Sequence, residues 1–254
     1  MDEFRLSKKL SNENLYTILL ICGLIAFFLF REIVMLVLLA QFERTEPGIT
    51  VEFSNLLLEE NYKAFTENMW KAINLSQFFG NLLILVPLVF LLRKVFVNDF
   101  FKLKKDLLNN LGIIAFGFII MLYGQSLLAR IYGYFGIVND SANQELIEYA
   151  LSAKSGIYMV LSVVLIAPLL EELIFRKLFF GFFEEKLKMP KIVVIILSAC
   201  VFAALHATDI FFFQYLFLAL VLTCSYALFK NNIIISIGIH FLNNAMILLY
   251  VCIM

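Results

Sequence analysis

Four ionisable side chains lie inside long apolar runs of the sequence, and they are the residues that could do chemistry. They are the adjacent carboxylates Glu171 and Glu172 and the only two histidines of the chain, His206 and His240. An ionisable group in hydrocarbon costs about 2.5 to 3.5 kcal/mol on insertion scales, so such groups mark functional sites by default. Two imidazoles and two carboxylates predict a catalytic cavity within a membrane.

The spacing around the two carboxylates divides their roles. On an α-helix Glu172 and Arg176 are four residues apart and share a face, whereas Glu171 points about 100° away from Glu172. Arg176 can neutralise Glu172 through a charge-assisted bond, which makes burial of that carboxylate tolerable. Glu171 is then free to face a cavity as a general base. Alternatively, Glu171, Glu172 and Arg176 could simply lie at the end of a membrane span and have no catalytic role. The apolar run, however, continues beyond them to Phe183.

Each histidine has a partner one helical turn away. Phe202 precedes His206 by four residues and can fix its ring by packing, and Asn244 follows His240 by four, so an imidazole and a carboxamide share a face. Asn243 is expected to point elsewhere. Either histidine alone could simply hydrogen-bond a neighbouring helix. Polar groups on three separate spans favour one shared cavity instead.

The composition predicts a membrane protein. The chain of 254 residues is 62% hydrophobic and 16% charged, has 28 Phe and has zero formal net charge. Its mean hydropathy is +0.91. No soluble domain has this composition. The sequence also lacks a basic stripe that could neutralise phosphates, which argues against a nucleic-acid partner.

The apolar runs predict an all-α, polytopic bundle of seven to eight transmembrane helices, since each is long enough to span about 30 Å of hydrocarbon. The runs cover residues 15–39, 75–92, 107–130, 157–180, 192–207, 211–229 and 233–254. Arg31 and Glu32 interrupt the first run, which is either one long tilted helix or a span followed by a second segment. Residues 55–73 are expected to form an amphipathic outer helix.

We interpret residues 1–254 as a single integral membrane domain. Its N-terminal spans and outer loops occupy residues 1–156, and the motif-bearing part occupies residues 157–254. No repeat, low-complexity tract or Pro/Gly linker divides the sequence.

The charged residues predict the orientation in the membrane. Cations cluster before the first span and between the second and third, at Arg5, Lys8, Lys9, Arg93, Lys94, Lys102, Lys104 and Lys105. The positive-inside rule places these segments in the cytoplasm, and the acidic loops 43–74 and 139–155 outside. We therefore expect a multi-pass protein of the cell membrane with a cytoplasmic N-terminus. By counting depth along the helices, we also expect the cavity to open toward the cytoplasm.

Three motifs, taken together, resemble those of a known family. The sequence contains E-E-x-x-x-R from Glu171, F-x-x-x-H from Phe202 and H-x-x-x-N from His240, on successive apolar segments. In this order they are similar to the motifs of the CAAX protease and bacteriocin-processing family of intramembrane metalloproteases, also called Abi or type II CAAX prenyl endopeptidase-like proteins. The resemblance covers residues 157–254, and Lys177 departs from it where the family often has Gly.

The resemblance implies an all-helical membrane endopeptidase. Glu171 and His206 would activate a water molecule, and His240 and Asn244 would stabilise the oxyanion. The substrate would be a membrane-associated peptide or a lipidated protein, such as a CaaX protein, a peptide pheromone or a leader peptide. The candidate catalytic residues are therefore Glu171, Glu172, Arg176, His206, His240 and Asn244.

The sequence leaves the question of a metal open. Glu171, His206 and His240 would make a His₂Glu zinc site with a free position for water. The same three side chains could equally hold a water molecule without an ion. Other membrane-protease machinery is missing, since the sequence contains neither H-E-x-x-H nor G-x-S-x-G.

Two functions from other classes remain as alternatives. The first is a non-catalytic bacteriocin-immunity factor or scaffold with the same fold, although a scaffold does not need buried histidines beside an unpaired carboxylate. The second is a proton-coupled carrier, since intramembrane Glu and His also build proton relays. A carrier would more commonly show an internal repeat, and the sequence has none.

Overall fold

The computed structural model describes residues 13–137 and 141–253 of the chain. Arg5, Lys8 and Lys9, on which the predicted cytoplasmic N-terminus depends in part, lie outside the described residues. All regular structure in the described residues is helical. The predicted all-α class is therefore confirmed for this part of the chain.

The helices are numbered here in chain order. They are α1 (Glu13–Phe42), α2 (Ile49–Leu58), α3 (Glu67–Lys105), α4 (Leu107–Tyr134), α5 (Ala142–Ser152), α6 (Gly156–Lys186), α7 (Lys191–Ala204), α8 (Phe212–Leu228) and α9 (Ile233–Ile253). A short 3₁₀ turn, Tyr62–Ala64, precedes α3.

All seven apolar runs predicted from the sequence correspond to helices. Four of these helices, α1, α3, α4 and α6, are long and apolar enough to cross a membrane, whereas α7, α8 and α9 are shorter. The first helix continues through Arg31 and Glu32 without a break, so the single long helix is the correct alternative. The arrangement is a polytopic helix bundle, as predicted.

The predicted amphipathic helix at residues 55–73 was wrong. α2 ends at Leu58, and Glu60 adopts a positive φ of 53°, which a helix cannot continue through. A new helix then begins after Thr66, whose hydroxyl accepts a hydrogen bond from the backbone N–H of Met69 at 3.4 Å. The polar run around residues 59–61 breaks the segment in two, and the apolar pattern continues on both sides of the break.

Helix α6 lies at the centre of the bundle. Its side chains Leu170, Leu173 and Phe175 are fully buried in a hydrophobic cluster shared with α1, α3, α7, α8 and α9. The helix alternates between α and π geometry, with π segments at Ser162–Ile166 and Glu172–Phe180. Wider turns of this kind recur at functional sites. Here they flank the segment that carries Glu171.

A second hydrophobic cluster covers one end of the bundle. It joins α2, the 3₁₀ turn and α5 to the adjoining ends of α1, α3 and α6 through side chains that include Phe53, Trp70 and Met159. Asn74 fixes this layer by donating to the carbonyl of Ala150 at 2.9 Å and to the hydroxyl of Ser155. We call α2, the 3₁₀ turn and α5 the cap.

Candidate active site

The structure brings the three candidate water-binding side chains together. Glu171 Oε2 lies 4.0 Å from His206 Nε2 and 3.7 Å from His240 Nε2. Two ionisable groups must come this close, directly or through one water, to exchange a proton. The predicted convergence of Glu171, His206 and His240 on one cavity is therefore confirmed.

Counting along the predicted helices, at a rise of about 1.5 Å per residue, placed His206 about 10 Å further from the cytoplasmic face of the membrane than Glu171. That discrepancy disappears because α6 does not end near residue 180 but continues to Lys186. Glu171 consequently lies as many residues from Lys186 as His206 lies from Lys191, the first residue of α7. Neighbouring antiparallel helices then bring the two side chains to the same level.

Glu172 and Arg176 form the predicted ion pair on α6, and neither residue lines the cavity. Arg176 Nε lies 3.2 Å from Glu172 Oε2, and both side chains are 0% exposed. The guanidinium also lies over the ring of Phe202, 4.7 Å from its centroid. Among the described residues, the two terminal nitrogens of Arg176 have no hydrogen-bond partner. Glu172 is therefore the main compensation for a fully buried cation.

His240 connects this buried pair to the cavity, a link that the sequence did not reveal. Its Nδ1 donates to Glu172 Oε1 at 3.1 Å, while its Nε2 faces Glu171. A carboxylate that holds one imidazole nitrogen fixes the orientation and tautomer of the ring. The pair Glu172–Arg176 thus positions His240, and Glu171 is left to the cavity.

The hydrogen bonds of the two rings determine what the centre can bind. His206 Nδ1 donates to the carbonyl oxygen of Phe202 at 2.8 Å, because a carbonyl can only accept. In their neutral forms both histidines therefore present an Nε2 lone pair toward the carboxylate of Glu171. Three acceptors that face one another require a donor between them. A water molecule or a cation satisfies that requirement.

The ring of His206 is held between two aromatic side chains. It stacks on Phe202 with a centroid distance of 4.3 Å and on Tyr215 with a distance of 5.1 Å. The packing by Phe202 was predicted from the spacing. Tyr215 was missed, because it lies in an aromatic run on α8 and nothing in that run distinguishes it. Its hydroxyl contacts Ser141 and accepts from Asn143, so it ties the site to the start of α5.

A chain of carboxamides positions Asn244. Gln125 on α4 donates to Asn243 Oδ1 at 2.7 Å, and Asn243 donates to Asn244 Oδ1 at 3.3 Å. Asn244 in turn donates to the carbonyl of Val163 at 2.9 Å. The expectation that Asn243 points elsewhere was wrong, since its amide lines the cavity. The available signal was Gln125, a carboxamide in an apolar span.

These groups line a cavity of about 460 Å³. Its wall includes Glu171, His206, His240, Asn243, Asn244, Gln125, Tyr215 and, from α5, Ser141, Asn143, Gln144 and Glu148. The cavity therefore extends from Glu171 toward the cap and away from the Lys-rich ends of the helices. The expectation that the cavity opens toward the Lys-rich, cytoplasmic side was wrong. The depth of Glu171 was counted from an assumed end of α6 near residue 180, whereas this helix continues to Lys186.

The motifs that form this site agree with a comparison against known families. Residues 153–246 match the family described as "Type II CAAX prenyl endopeptidase Rce1-like". The motif-bearing part of the chain is therefore similar to this family. The resemblance inferred from the sequence is confirmed, and the matched segment contains all six candidate catalytic residues.

A curated relative supports the same placement. The chain is 34% identical over 144 residues, or 56% of its length, to YdiL of Bacillus subtilis (strain 168), a protein named as a proposed membrane peptidase. The aligned part spans 57% of the length of that relative. No solved structure matches the chain significantly.

The open question of a metal calls for a test of whether these residues suit zinc. The donor types fit, since two imidazoles with fixed Nδ1 protons and one carboxylate are a common zinc ligand set. Their separations of 3.7 and 4.0 Å exceed about 3.3 Å, the spacing that zinc–ligand bonds of about 2.0 Å imply. Within the described residues, no group of three His, Cys, Asp or Glu side chains is preassembled for a metal.

Proposed function

We propose that the protein is an intramembrane endopeptidase that hydrolyses a peptide bond in a membrane-associated substrate. The observation that carries the proposal is the meeting of one carboxylate and two imidazoles, Glu171, His206 and His240, in a cavity of about 460 Å³ inside the bundle. The similarity of residues 153–246 to an endopeptidase family supports the same class of reaction. Hydrolysis needs a base for water and donors for the developing oxyanion, and this cavity offers both.

In the proposed mechanism, Glu171 and His206 hold the attacking water. The water donates one hydrogen bond to the carboxylate and one to His206 Nε2, which points its oxygen into the cavity. As the oxygen attacks the peptide carbonyl, Glu171 accepts the proton and later delivers it to the leaving amine. Phe202 and Tyr215 keep the imidazole of His206 in the required plane.

Asn244 and His240 would stabilise the oxyanion. One hydrogen of the Asn244 amide is donated to Val163, which leaves the second free to reach a substrate oxygen. His240 Nδ1 is already used by Glu172, so any donation must come from Nε2 and requires the imidazolium form.

A zinc ion, if held by Glu171, His206 and His240, would polarise the same water and lower the pKa of that water. Dialysis of the purified protein against a chelator separates the two cases. Activity that persists without bound metal assigns catalysis to the side chains alone. Activity that is lost, and that added zinc restores together with one bound ion per chain, assigns a zinc site, and His206→Ala should then lose the ion.

The substrate is proposed to be held at the membrane. The exposed apolar side chains of Phe28 and Leu205 belong to the cavity wall, so the cavity meets the lipid-facing surface. A peptide that is anchored by a lipid or an apolar helix could therefore reach Glu171 from the bilayer. We propose that the protein resides in the cell membrane with its N-terminus in the cytoplasm, as the charge distribution indicates.

The proposed activity is tested by comparing peptides from membranes that contain the wild-type protein or Glu171→Gln. Mass spectrometry should find peptides that are shortened only with the wild type. Glu185→Gln is the matched control, since Glu185 is exposed near the end of the same helix and should leave the peptides unchanged. If the wild type and Glu171→Gln gave identical peptides, a non-catalytic immunity or scaffold protein would be the better reading.

A further inference from the structure

The cavity and the Lys-rich end of the bundle lie apart. α6 contributes lining residues 159–171 but none from the stretch that leads to Lys186, and α7 contributes only residues 202–206 at its end. From α3 the wall includes Gln77, near the start of that helix, and nothing close to Lys105. α5 and its N-cap add the polar Ser141, Asn143, Gln144 and Glu148 beside the apolar Leu146, Ile147 and Leu151. The cavity is therefore built at the cap end of the bundle.

The opposite end is closed by hydrogen bonds between helix termini. Lys186 at the end of α6 bonds to Thr17 of α1. Lys191 at the start of α7 donates to the carbonyl of Ala227 on α8 at 3.2 Å. Asn232, just before α9, donates to the carbonyl of Asp99 at 3.1 Å. These bonds link α6 to α1, α7 to α8 and the start of α9 to α3, and none of the residues involved lines the cavity.

The two ends also differ in charge. The closed end carries Arg93, Lys94, Lys102, Lys104, Lys105, Lys186, Lys188, Lys191 and Lys230. The cap end and its connections carry Glu43, Glu46, Glu52, Glu59, Glu60, Glu67, Glu145, Glu148 and Asp209, against the cations Arg44, Lys63, Lys71 and Lys154. Because Lys and Arg in short connections remain on the cytoplasmic side, the closed end belongs in the cytoplasm and the cap outside.

We propose that the active site is reached from the extracytoplasmic side of the membrane, past α5. Its substrate is then the outer part of an exported or membrane-anchored peptide, and not a cytoplasmic lipidated tail. The substrate class rests on the proposed peptidase function. The side of access rests only on the cavity and the charges, and it can be tested without any cleavage.

The wall near the cap suits a peptide chain. Ser141, Asn143 and Gln144 offer hydroxyl and carboxamide groups, and Arg31 on α1 adds a half-buried cation on the far side of the cavity. Such groups can pair with the amides and carbonyls of an extended peptide or with an acidic side chain. Water can follow the same path to Glu171, since these polar side chains line the cavity between the cap and the carboxylate.

The test uses single cysteines in full-length protein from which the native thiols have been removed. The native cysteines are Cys22, Cys200, Cys224 and Cys252. Ala167→Cys places a thiol in the cavity wall one turn before Glu171, and Lys188→Cys marks the exposed closed end. The probe is 2-(trimethylammonium)ethyl methanethiosulfonate, which is small and does not cross membranes. A cysteine that has reacted with this probe can no longer react with a membrane-permeant maleimide that is added afterwards. The loss of maleimide labelling therefore measures how far the probe reached that cysteine.

In right-side-out vesicles the probe should protect Ala167→Cys and leave Lys188→Cys unprotected. Inside-out vesicles should give the reverse pattern. Protection of Ala167→Cys only in inside-out vesicles, or in neither preparation, would overturn the proposal. Protection of Lys188→Cys in right-side-out vesicles would overturn the orientation on which it depends. A protein that shows the expected labelling but cleaves no peptide would refute the peptidase function and leave the side of access standing.

Discussion

Replacing Arg176 by Ala is expected to lower the free energy of unfolding by about 3 to 5 kcal/mol, the usual cost of leaving one member of a buried ion pair uncompensated. Glu172 is 0% exposed, and Arg176 is the cation that compensates its charge at 3.2 Å, while His240 donates to its other carboxylate oxygen. The loss should appear as a lower midpoint of thermal unfolding in detergent and as less protein in membranes.

A double variant separates the lost charge balance from lost volume. Glu172→Gln combined with Arg176→Met leaves no buried charge and nearly fills the same space, so it should recover most of the stability that Arg176→Ala loses. It should not recover full activity, because His240 Nδ1 then faces a neutral amide. If Arg176→Ala unfolded at the same temperature as the wild type, the buried ion pair would not stabilise the folded protein as its burial indicates.

The second large effect is expected in His206→Ala and His240→Ala. Each should reduce kcat/KM for a cleaved peptide by about 10²- to 10⁴-fold, the contribution typical of a positioned acid–base group. The protein level of His206→Ala should stay near that of the wild type, since this side chain fills little of the apolar core. His240→Ala also removes a hydrogen bond to the buried Glu172, so its activity is compared at equal amounts of folded protein.

Cys200→Ala is a suitable control for these variants. Cys200 lies on α7 like the residues that position His206, but it does not line the cavity. It should retain wild-type kcat/KM. A loss of activity in Cys200→Ala equal to that in His206→Ala would mean that any disturbance of α7 inactivates the protein, and the chemical role of the imidazole would be unsupported.

The helical class and the central residues of the site follow from the sequence because they depend on local patterns. Apolar runs of membrane length predict helices whatever their packing. A spacing of four residues places Glu172 beside Arg176 and leaves Glu171 on another face, as the structure shows. The rarity of ionisable groups in hydrocarbon then identifies His206 and His240 without any knowledge of the neighbouring helices.

The position of the cavity could not be predicted in this way, because it depends on where helices end. The apolar pattern weakens near residue 180, yet α6 continues in π geometry to Lys186, where polar residues bond to other helix termini. That extension moves Glu171 toward the middle of the helix. The cap was equally hidden, since α5 is polar on one face and is held above the site by contacts with distant residues such as Trp70 and Met159.

Contacts between distant helices account for the residues that were missed. Gln125 bonds to Asn243 across more than a hundred residues of sequence, and Tyr215 stacks on His206 from a helix whose sequence is almost uniformly apolar. Neither residue stands in a motif. Their roles depend on which helices are neighbours, and hydropathy carries no information about that.

The central claim is that Glu171 activates a water molecule that cleaves a peptide bond. Wild-type protein and Glu171→Gln, each purified and reconstituted in lipid vesicles, can be compared on the identified peptide in water enriched in ¹⁸O. The wild type should release a fragment whose new carboxylate carries one ¹⁸O from solvent, and Glu171→Gln should release none although it is equally well folded. Cleavage by Glu171→Gln at the wild-type rate would contradict the account.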